Sequence, residues 1–325
     1  MKNSLKTLSA FLMAAMLIPM IALSQAKHPQ THFNTHLAQA PGYYRIKVGD
    51  FQVTALSDGV FETPIEQLFV DAKPGEVDSA LRANGESRPY IGSVNVFLIN
   101  TGSQLILVDT GAGDLFDPGQ LGKMTKNLIL AGYKPENINA VLLTHFHPDH
   151  CGGLVRKGKV IFPNATIFLG KADVDFLFGP SSPKAGANGK SPVQDEIDVL
   201  KSYRSAGKLK SIDGPTELFP GISSLPAPGH TPGHHFFVLQ SKGQKLVFWG
   251  DIVHVAEVQF SDPSPTVVFD ADHQVAKTQR LNVFNDAAKE GYLVAGAHLA
   301  FPGLGHVTAE NGIYKWVPVS YSTKE

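Results

Sequence analysis

The segment Val141-Leu142-Leu143-Thr144-His145-Phe146-His147-Pro148-Asp149-His150-Cys151-Gly152-Gly153 sets three imidazoles and a carboxylate within six residues. Neutral imidazole and carboxylate are the ligands that divalent zinc, manganese, iron and cobalt accept. In extended chain, side chains two residues apart point the same way, so His145 and His147 face one ion while Phe146 turns into the core. Pro148 forbids a regular continuation, and the bend it favours presents Asp149 and His150 to a second position close by. Burying so many ionisable groups without a cation costs on the order of several kcal/mol for each unpaired group, which argues against a merely structural cluster. Gly152 and Gly153 permit close backbone approach where a helix is expected to begin.

Three further pieces each deliver a ligand-type residue from a tight turn or the end of an apolar run. Pro228-Gly229-His230-Thr231-Pro232-Gly233-His234 fixes His230 in a glycine-proline loop. Val247-Phe248-Trp249-Gly250 runs into Asp251, and Tyr292-Leu293-Val294-Ala295-Gly296-Ala297 runs into His298. With the first cluster they form a set suited to two ions. Leu107-Val108-Asp109-Thr110-Gly111 puts a carboxylate at the end of a buried strand, where it is expected to orient a ligand histidine. Cys151 leaves two readings open, an additional ligand or a small buried filler, with the second favoured.

The elements that must carry these residues follow from periodicity. Tyr43 to Leu56 alternates and turns at Gly49-Asp50, reading as a hairpin. Ser93 to Asn100 and Gln104 to Val108 read as a second hairpin. Helical spacing spans Gly122 to Tyr133, Lys171 to Phe178 and Asp195 to Ala206, with strands at Val141 to Leu143 and Ala165 to Leu169. Strand-like runs at Ile222 to Leu225, Phe236 to Leu239 and Leu246 to Trp249 repeat that logic in the second half. Strands followed by helices, twice, predict an α/β fold of two stacked sheets flanked by helices. Gly179 to Ser191 is rich in Gly, Pro, Ser and Lys and is expected to be a flexible loop, with a lid as one role for it.

Composition narrows the function. The chain has 325 residues, an apolar fraction of 43% and a formal net charge of -1, with no Lys/Arg block, so a nucleic-acid footprint is excluded. Lys2 and Lys6, an apolar run from Ala10 to Leu23 and Ser24-Gln25-Ala26 form the pattern of a secretory signal peptide cleaved after Ala26. Residues 27–41 are expected to be a mobile arm, in which His28, His32 and His36 could scavenge metal, and 42–325 one catalytic domain. Export to the periplasm or beyond is expected, with no membrane contact after cleavage. Disulfides are usual there, yet the single cysteine has no intrachain partner, so stability must come from the core and from bound metal.

The His145-x-His147-x-Asp149-His150 run, the Gly229 to His234 loop, Gly250-Asp251 and the late His298 resemble the dinuclear metallo-β-lactamase superfamily. Within it, Tyr43-Tyr44-Arg45, the stretch from Val255 to Asp270 and Ala297 to Gly303 are similar to the methyl parathion hydrolase group and its lactonase-like relatives. The resemblance implies an αββα sandwich with two divalent ions, usually zinc, at one edge of the paired sheets. It implies that His145, His147 and His230 hold one ion, that Asp149, His150 and His298 hold the other, and that Asp251 bridges. It also suggests a homodimer. Two cations about 3.5–4 Å apart share a water and lower its pKa, so a bridging hydroxide attacks a carbonyl or phosphoryl centre without a protein nucleophile. Asp149 or Asp251 is then the group that relays a proton to the leaving group.

Metal chemistry of this kind does not choose among small-molecule substrates; pocket walls do. Phe116, Phe176, Leu177, Phe178, His254 and Phe301 are the candidates for an apolar, partly aromatic pocket. The closer group has a tryptophan near Leu177, and its absence argues against strong organophosphate turnover. The expectation is a lactone or aryl/alkyl ester hydrolase with promiscuous phosphotriesterase activity. A methyl parathion-type phosphotriesterase and an iron-dependent oxidoreductase on the same scaffold are the alternatives; true β-lactamase activity is less favoured.

Overall fold

Alternation from Tyr43 onward produces a hairpin of β1 (Tyr43–Val48) and β2 (Phe51–Thr63) in a computed structural model that describes residues 39–116, 119–186 and 189–322. The expected signal peptide and His28, His32 and His36 lie outside the described residues. β2 pairs along its length with β3 (Tyr90–Asn100), except for a register shift between Ser57 and Gly59 that leaves Asp58 out of the ladder. β4 (Leu105–Val108) and β5 (Ala140–Leu142) follow, then a separate two-stranded ribbon of β6 (Val155–Arg156) and β7 (Lys159–Val160). β8 (Thr166–Gly170) and β9 (Leu209–Ile212) complete the first sheet in the order β1-β2-β3-β4-β5-β8-β9. From β4 to β9 neighbours are parallel, and β4 and β5 read as unbroken apolar runs because both their faces are covered.

The second sheet holds β10 (Thr216–Phe219), β11 (Ile222–Pro226), β12 (His235–Ser241), β13 (Gln244–Phe248), β14 (Leu293–Ala295), β15 (Leu304–Glu310) and β16 (Ile313–Pro318), in sequence order. Only β13 and β14 run parallel in it. The sheets pack through Val53, Phe97, Ile99, Ile106 and Leu142 against Phe237, Leu239, Leu246 and Phe248, with Phe97 and Phe248 ring centroids 5.5 Å apart. Burying one such side chain contributes roughly 1.5–3 kcal/mol, so this layer holds the two sheets together.

The helices are α1 (Ile65–Leu68), α2 (Glu76–Ala83), α3 (Met124–Leu130), α4 (Pro148–Cys151), α5 (Lys171–Phe178), α6 (Gln194–Ser205), α7 (Ala256–Gln259) and α8 (His273–Glu290). α3 and α6 bury Met124, Leu128, Val199, Leu200 and Tyr203 against the outer face of the first sheet. α8 buries Val283, Phe284 and Ala287 with residues of the second. The architecture is the αββα sandwich expected. Among the described residues no helix is long and apolar enough to cross a membrane.

β2 runs on to Thr63 and β3 starts at Tyr90, both longer than the alternation predicts, and two helix limits differ for identifiable reasons. The helix expected over Gly122 to Tyr133 covers only Met124–Leu130, because Gly122 (φ 79°) and Gly132 (φ 92°) are left-handed and stop it at both ends. The helix after the histidine cluster begins at Pro148, not at the glycines, since a fixed φ and a missing N–H suit a first helical residue. Gly152 and Gly153 serve close approach instead: a Cβ on them would lie 2.2 Å from Ala112 O and 2.0 Å from Thr110 O.

Candidate metal centre

The carboxyl ends of β4, β5, β13 and β14 meet at one edge of the sandwich, and each is followed within a few residues by a polar side chain from the sequence-predicted set. β5 leads into His145, which is fully buried, and Phe146 turns into the core beneath. His147 precedes Pro148, so Asp149 and His150 are delivered from the first turn of α4. β13 delivers Asp251 past Gly250, where φ is 54° and a Cβ would lie 2.5 Å from His234 Nε2. His298 follows β14, and His230 comes from the turn before β12.

These seven residues converge into two groups that share a carboxylate. Potential ligand atoms of His145, His147, His230 and Asp251 lie within 4.8 Å of one another, as do those of Asp149, His150 and His298. Asp251 faces both. Its Oδ2 is 3.2 Å from His230 Nε2 and 3.7 Å from His145 Nε2, and its Oδ1 is 3.0 Å from His150 Nε2 and 3.2 Å from His298 Nε2. Asp149 Oδ2 closes the second group at 3.4 Å from His298 Nε2 and 3.5 Å from His150 Nε2. His147 Nδ1 and His230 Nε2 point at each other across 2.9 Å.

The far nitrogens of four of these five rings are held. His150 Nδ1 donates to Asp109 Oδ2 at 2.9 Å, His230 Nδ1 donates to Asp270 Oδ1 at 2.8 Å, and His298 Nδ1 donates to the carbonyl of Ser93 at 3.0 Å. His145 Nδ1 lies 3.1 Å from Thr144 Oγ1, whose hydroxyl donates in turn to Asp109. Fixing Nδ1 as a donor aims the Nε2 lone pair inward, the arrangement that orients ligand imidazoles. Conversely, His145 Nε2, His150 Nε2 and Asp251 Oδ1 are buried without a hydrogen-bond partner. Orphaned lone pairs of two imidazoles and a shared carboxylate fit two divalent cations and are costly otherwise.

Electrostatics of the metal-free chain agree. Burial, aided by charge on neighbouring rings, holds His145 and His147 well below the usual imidazole range, so both offer lone pairs at neutral pH. Burial opposes protonation of His150, His230 and His298 too, but the carboxylates around them win. Asp251, Asp149 and Asp109 hold His150 well above its ordinary value, and Asp251 with Asp270 brings His230 to about 9. Asp251, although burial favours its neutral form, is held well below the carboxylate range by His150, His298, His145 and His230. A cation entering here displaces protons from rings already arranged around an anion.

Sequence reasoning assigned no role to three groups that support this set. Asp270 ends the run Thr266-Val267-Val268-Phe269 much as Asp251 ends its own, and that likeness was the available signal. Asp173, buried on α5, accepts from Thr231 Oγ1 at 2.8 Å and from the Gly233 N–H at 2.6 Å, clamping the turn that carries His230. His234 Nε2 accepts the Asp251 N–H at 3.2 Å. Cys151 is fully buried, and its thiol, pushed well up by burial, donates to the Phe146 carbonyl at 3.0 Å.

A cavity of about 710 Å³ opens over both groups. Its walls are mostly apolar: Phe61, Phe116, Leu121, Phe146, Phe176 and Phe269 face it, and His147, Asp149, Asp251 and His298 form the polar floor. Of the six expected pocket residues, Phe116, Phe176 and His254 line it. The other three do not. Leu177 lies one helical step round α5 from Phe176 and is buried in the core of the first sheet, and Phe178 packs beside that core under the Arg204 guanidinium, 4.5 Å from its ring centre. Phe301 sits in the turn after His298, 36% exposed and outside the cavity lining. His254 is closer to the centre than a wall residue need be, with Nε2 3.2 Å from Asp251 Oδ2.

Comparison with known proteins converges on one family. The family model of the metallo-beta-lactamase superfamily matches residues 89–298. An N-acyl homoserine lactonase of Bacillus cereus is 28% identical over 204 residues, covering 57% of this chain and 73% of the relative. Among solved structures, the hydrolase AbOPH of the beta lactamase superfamily superposes with a TM-score of 0.81 at 34% identity, covering 88% of this chain and 100% of the other. AidC, a dizinc quorum-quenching lactonase in complex with a product, superposes with a TM-score of 0.79 at 29% identity over 87% and 99% of the two chains. With the ligand geometry in place and the match spanning the domain, the chain is a metal-dependent hydrolase and belongs to the metallo-beta-lactamase superfamily.

Proposed function

We propose that this protein is a dizinc lactonase that opens N-acyl homoserine lactones or closely similar lactones, with aryl esters and phosphotriesters as slower substrates. The observation that carries the reading is Asp251 presenting one oxygen to each histidine group at the floor of a largely apolar cavity. The likeness to a lactonase of Bacillus cereus and to AidC supports the same choice. An acyl chain suits the Phe61, Phe116 and Leu121 wall, and a small polar ring suits the floor.

His145, His147 and His230 would hold one ion, Asp149, His150 and His298 the other, and Asp251 both. When bound, a divalent pair lowers the pKa of the solvent shared between the ions and polarises the scissile carbonyl. The chain's own residues do the rest. Asp109, Asp270, Thr144 and the Ser93 carbonyl keep the ligand rings from turning. Asp149 is only partly buried and faces the cavity, whereas Asp251 is ringed by imidazoles. Asp149 is therefore the carboxylate placed to carry the proton: one C–O bond forms to water, the ring C–O bond breaks, and the water's proton passes to the departing alkoxide. The product keeps both fragments joined as an N-acyl hydroxy acid.

Initial rates of the zinc-loaded enzyme on acyl-homoserine lactones, dihydrocoumarin, aryl acetates and methyl paraoxon, alongside elemental analysis, test this. Lactones should lead and two equivalents of zinc should be found. A phosphotriester preferred by a large factor would overturn the substrate choice, and bound iron with oxygen consumption would favour an oxidoreductase. Export belongs to the same reading, and N-terminal sequencing of protein recovered outside the cytoplasm checks cleavage after Ala26.

A further inference from the structure

Asp58 is a buried carboxylate with no part in the metal centre, 1% exposed, at the point where β2 slips its register against β3. Backbone groups hold it. Oδ2 accepts the N–H groups of Ala112 at 2.9 Å and Gly122 at 3.0 Å, Oδ1 accepts that of Met124 at 2.9 Å, and its own carbonyl accepts the Lys123 N–H at 2.9 Å. One side chain thus ties the loop after Asp109 to the start of α3, holding Ala112 and Gly122 on either side of Phe116 and Leu121, which line the cavity. Phe61, three residues beyond Asp58 on β2, completes that wall, its ring centroid 6.1 Å from that of Phe116.

Neighbouring contacts show how closely the tie is fitted. Gly111 has φ 76°, and a Cβ there would lie 2.4 Å from the Asp58 carboxyl; Gly59 has φ 137°, and a Cβ there would lie 2.1 Å from Gln120 O. The same segment is joined to the ligand turn, since the Thr110 N–H donates to the His150 carbonyl at 2.7 Å and the Gly153 N–H to that of Gly111 at 2.9 Å. Burial raises the Asp58 carboxyl above its ordinary value and the three N–H groups pull it partly back down; where it is ionised, those bonds are charge-assisted, stronger than a neutral acceptor would make.

We propose that Asp58 is a positioning residue for substrate selection: by pinning Ala112, Gly122 and Met124 it sets the distance of the Phe116 and Leu121 side chains from the metal floor and so the acyl length the cavity prefers. This rests on the lactonase reading above. Asn in place of Asp58 fills the same volume but turns one acceptor oxygen into a donor that opposes a backbone N–H, so at least one tie is lost. The ratio of kcat/KM for N-decanoyl over N-butanoyl homoserine lactone should fall roughly tenfold in D58N holoenzyme, the scale set by losing contact with about two methylenes. Bound metal should stay at the wild-type amount, and in an F116A background D58N should change the ratio little further, because the wall it positions is already gone.

Equal losses on both substrates, loss of metal, or full additivity with F116A would overturn the proposal, since a general structural role predicts each of these. If D58N cannot be obtained folded, F116A and Leu121→Ala replace it, and an unchanged chain-length ratio in both overturns the proposal. If the wild type opens no homoserine lactone, the lactonase reading fails separately. Decanoate and butyrate aryl esters then report the same ratio.

Discussion

Asp109→Asn should weaken metal binding at one group and leave the other nearly intact. Asp109 sits at φ 63°, a conformation that asparagine tolerates and most residues do not, so the exchange preserves backbone and volume and alters only hydrogen bonding. In the native chain Oδ1 accepts the Thr144 N–H at 2.8 Å, and Oδ2 accepts from His150 Nδ1 at 2.9 Å. An amide that keeps its oxygen on Thr144 turns its NH2 toward His150 Nδ1–H, donor against donor. His150 then moves its proton to Nε2, the atom 3.0 Å from Asp251 Oδ1, and loses the lone pair that faces the second group. Losing the partner that orients a ligand imidazole costs about 10–100-fold in metal affinity, or about 1.4–2.8 kcal/mol. Competition against a chromophoric chelator should show two phases, one weakened by that factor and one within about threefold of wild type. The spared phase is expected because Thr144 Oγ1 can still accept from His145 Nδ1, 3.1 Å away. Two unchanged phases, or a loss confined to the phase that His147→Ala abolishes, would refute the reasoning.

Chelation should lower the melting temperature as well as activity, because the ions bind only the folded chain; at free metal a thousandfold above Kd each ion contributes about 4 kcal/mol. EDTA-dialysed protein that kept full activity would remove the metal mechanism. Cys151→Ala should retain two equivalents of metal and cost about 1 kcal/mol in urea unfolding, as a small buried filler would; loss of one equivalent would make the thiol a ligand. Asp173, carried to about 7 by burial against the bonds from Thr231 and Gly233, favours its neutral form in the fold. Its contribution is therefore complete below the unfolded carboxylate pKa near 4 and lost as pH rises through about 7. Asp173→Asn, which can still accept from Gly233 and donate to Thr231, should flatten that dependence. The wild-type stability minus that of the variant should fall by up to about 1.4 kcal/mol per pH unit between about pH 5 and 7, and a constant difference would contradict the assignment.

The sequence by itself determined the candidate ligand residues, which the fold brings together, and the layers that carry them. Imidazole and carboxylate spacing is local chemistry, and an apolar run ending in a single polar residue marks the carboxyl end of a buried strand, so His145, Asp251 and His298 could be found one strand at a time. The long helix α8 escaped because its buried residues, Arg280 among them, form no clean apolar stripe. Its limits were still written in a capping Asp272, which accepts the Val275 N–H at 3.0 Å, and in Gly291 at φ 67°. Tertiary structure alone decided what lies between strands far apart in the chain. Asp270 and Asp109 reach their histidines across about forty residues, and Asp58 reaches Ala112 across 54. Which neighbour on α5 faces the cavity, Phe176 rather than Leu177, depended on how the helix is rolled against the sheet. Ligand chemistry is a property of side chains and their spacing, whereas pocket walls and the groups that aim the ligands depend on which surfaces the packing brings together.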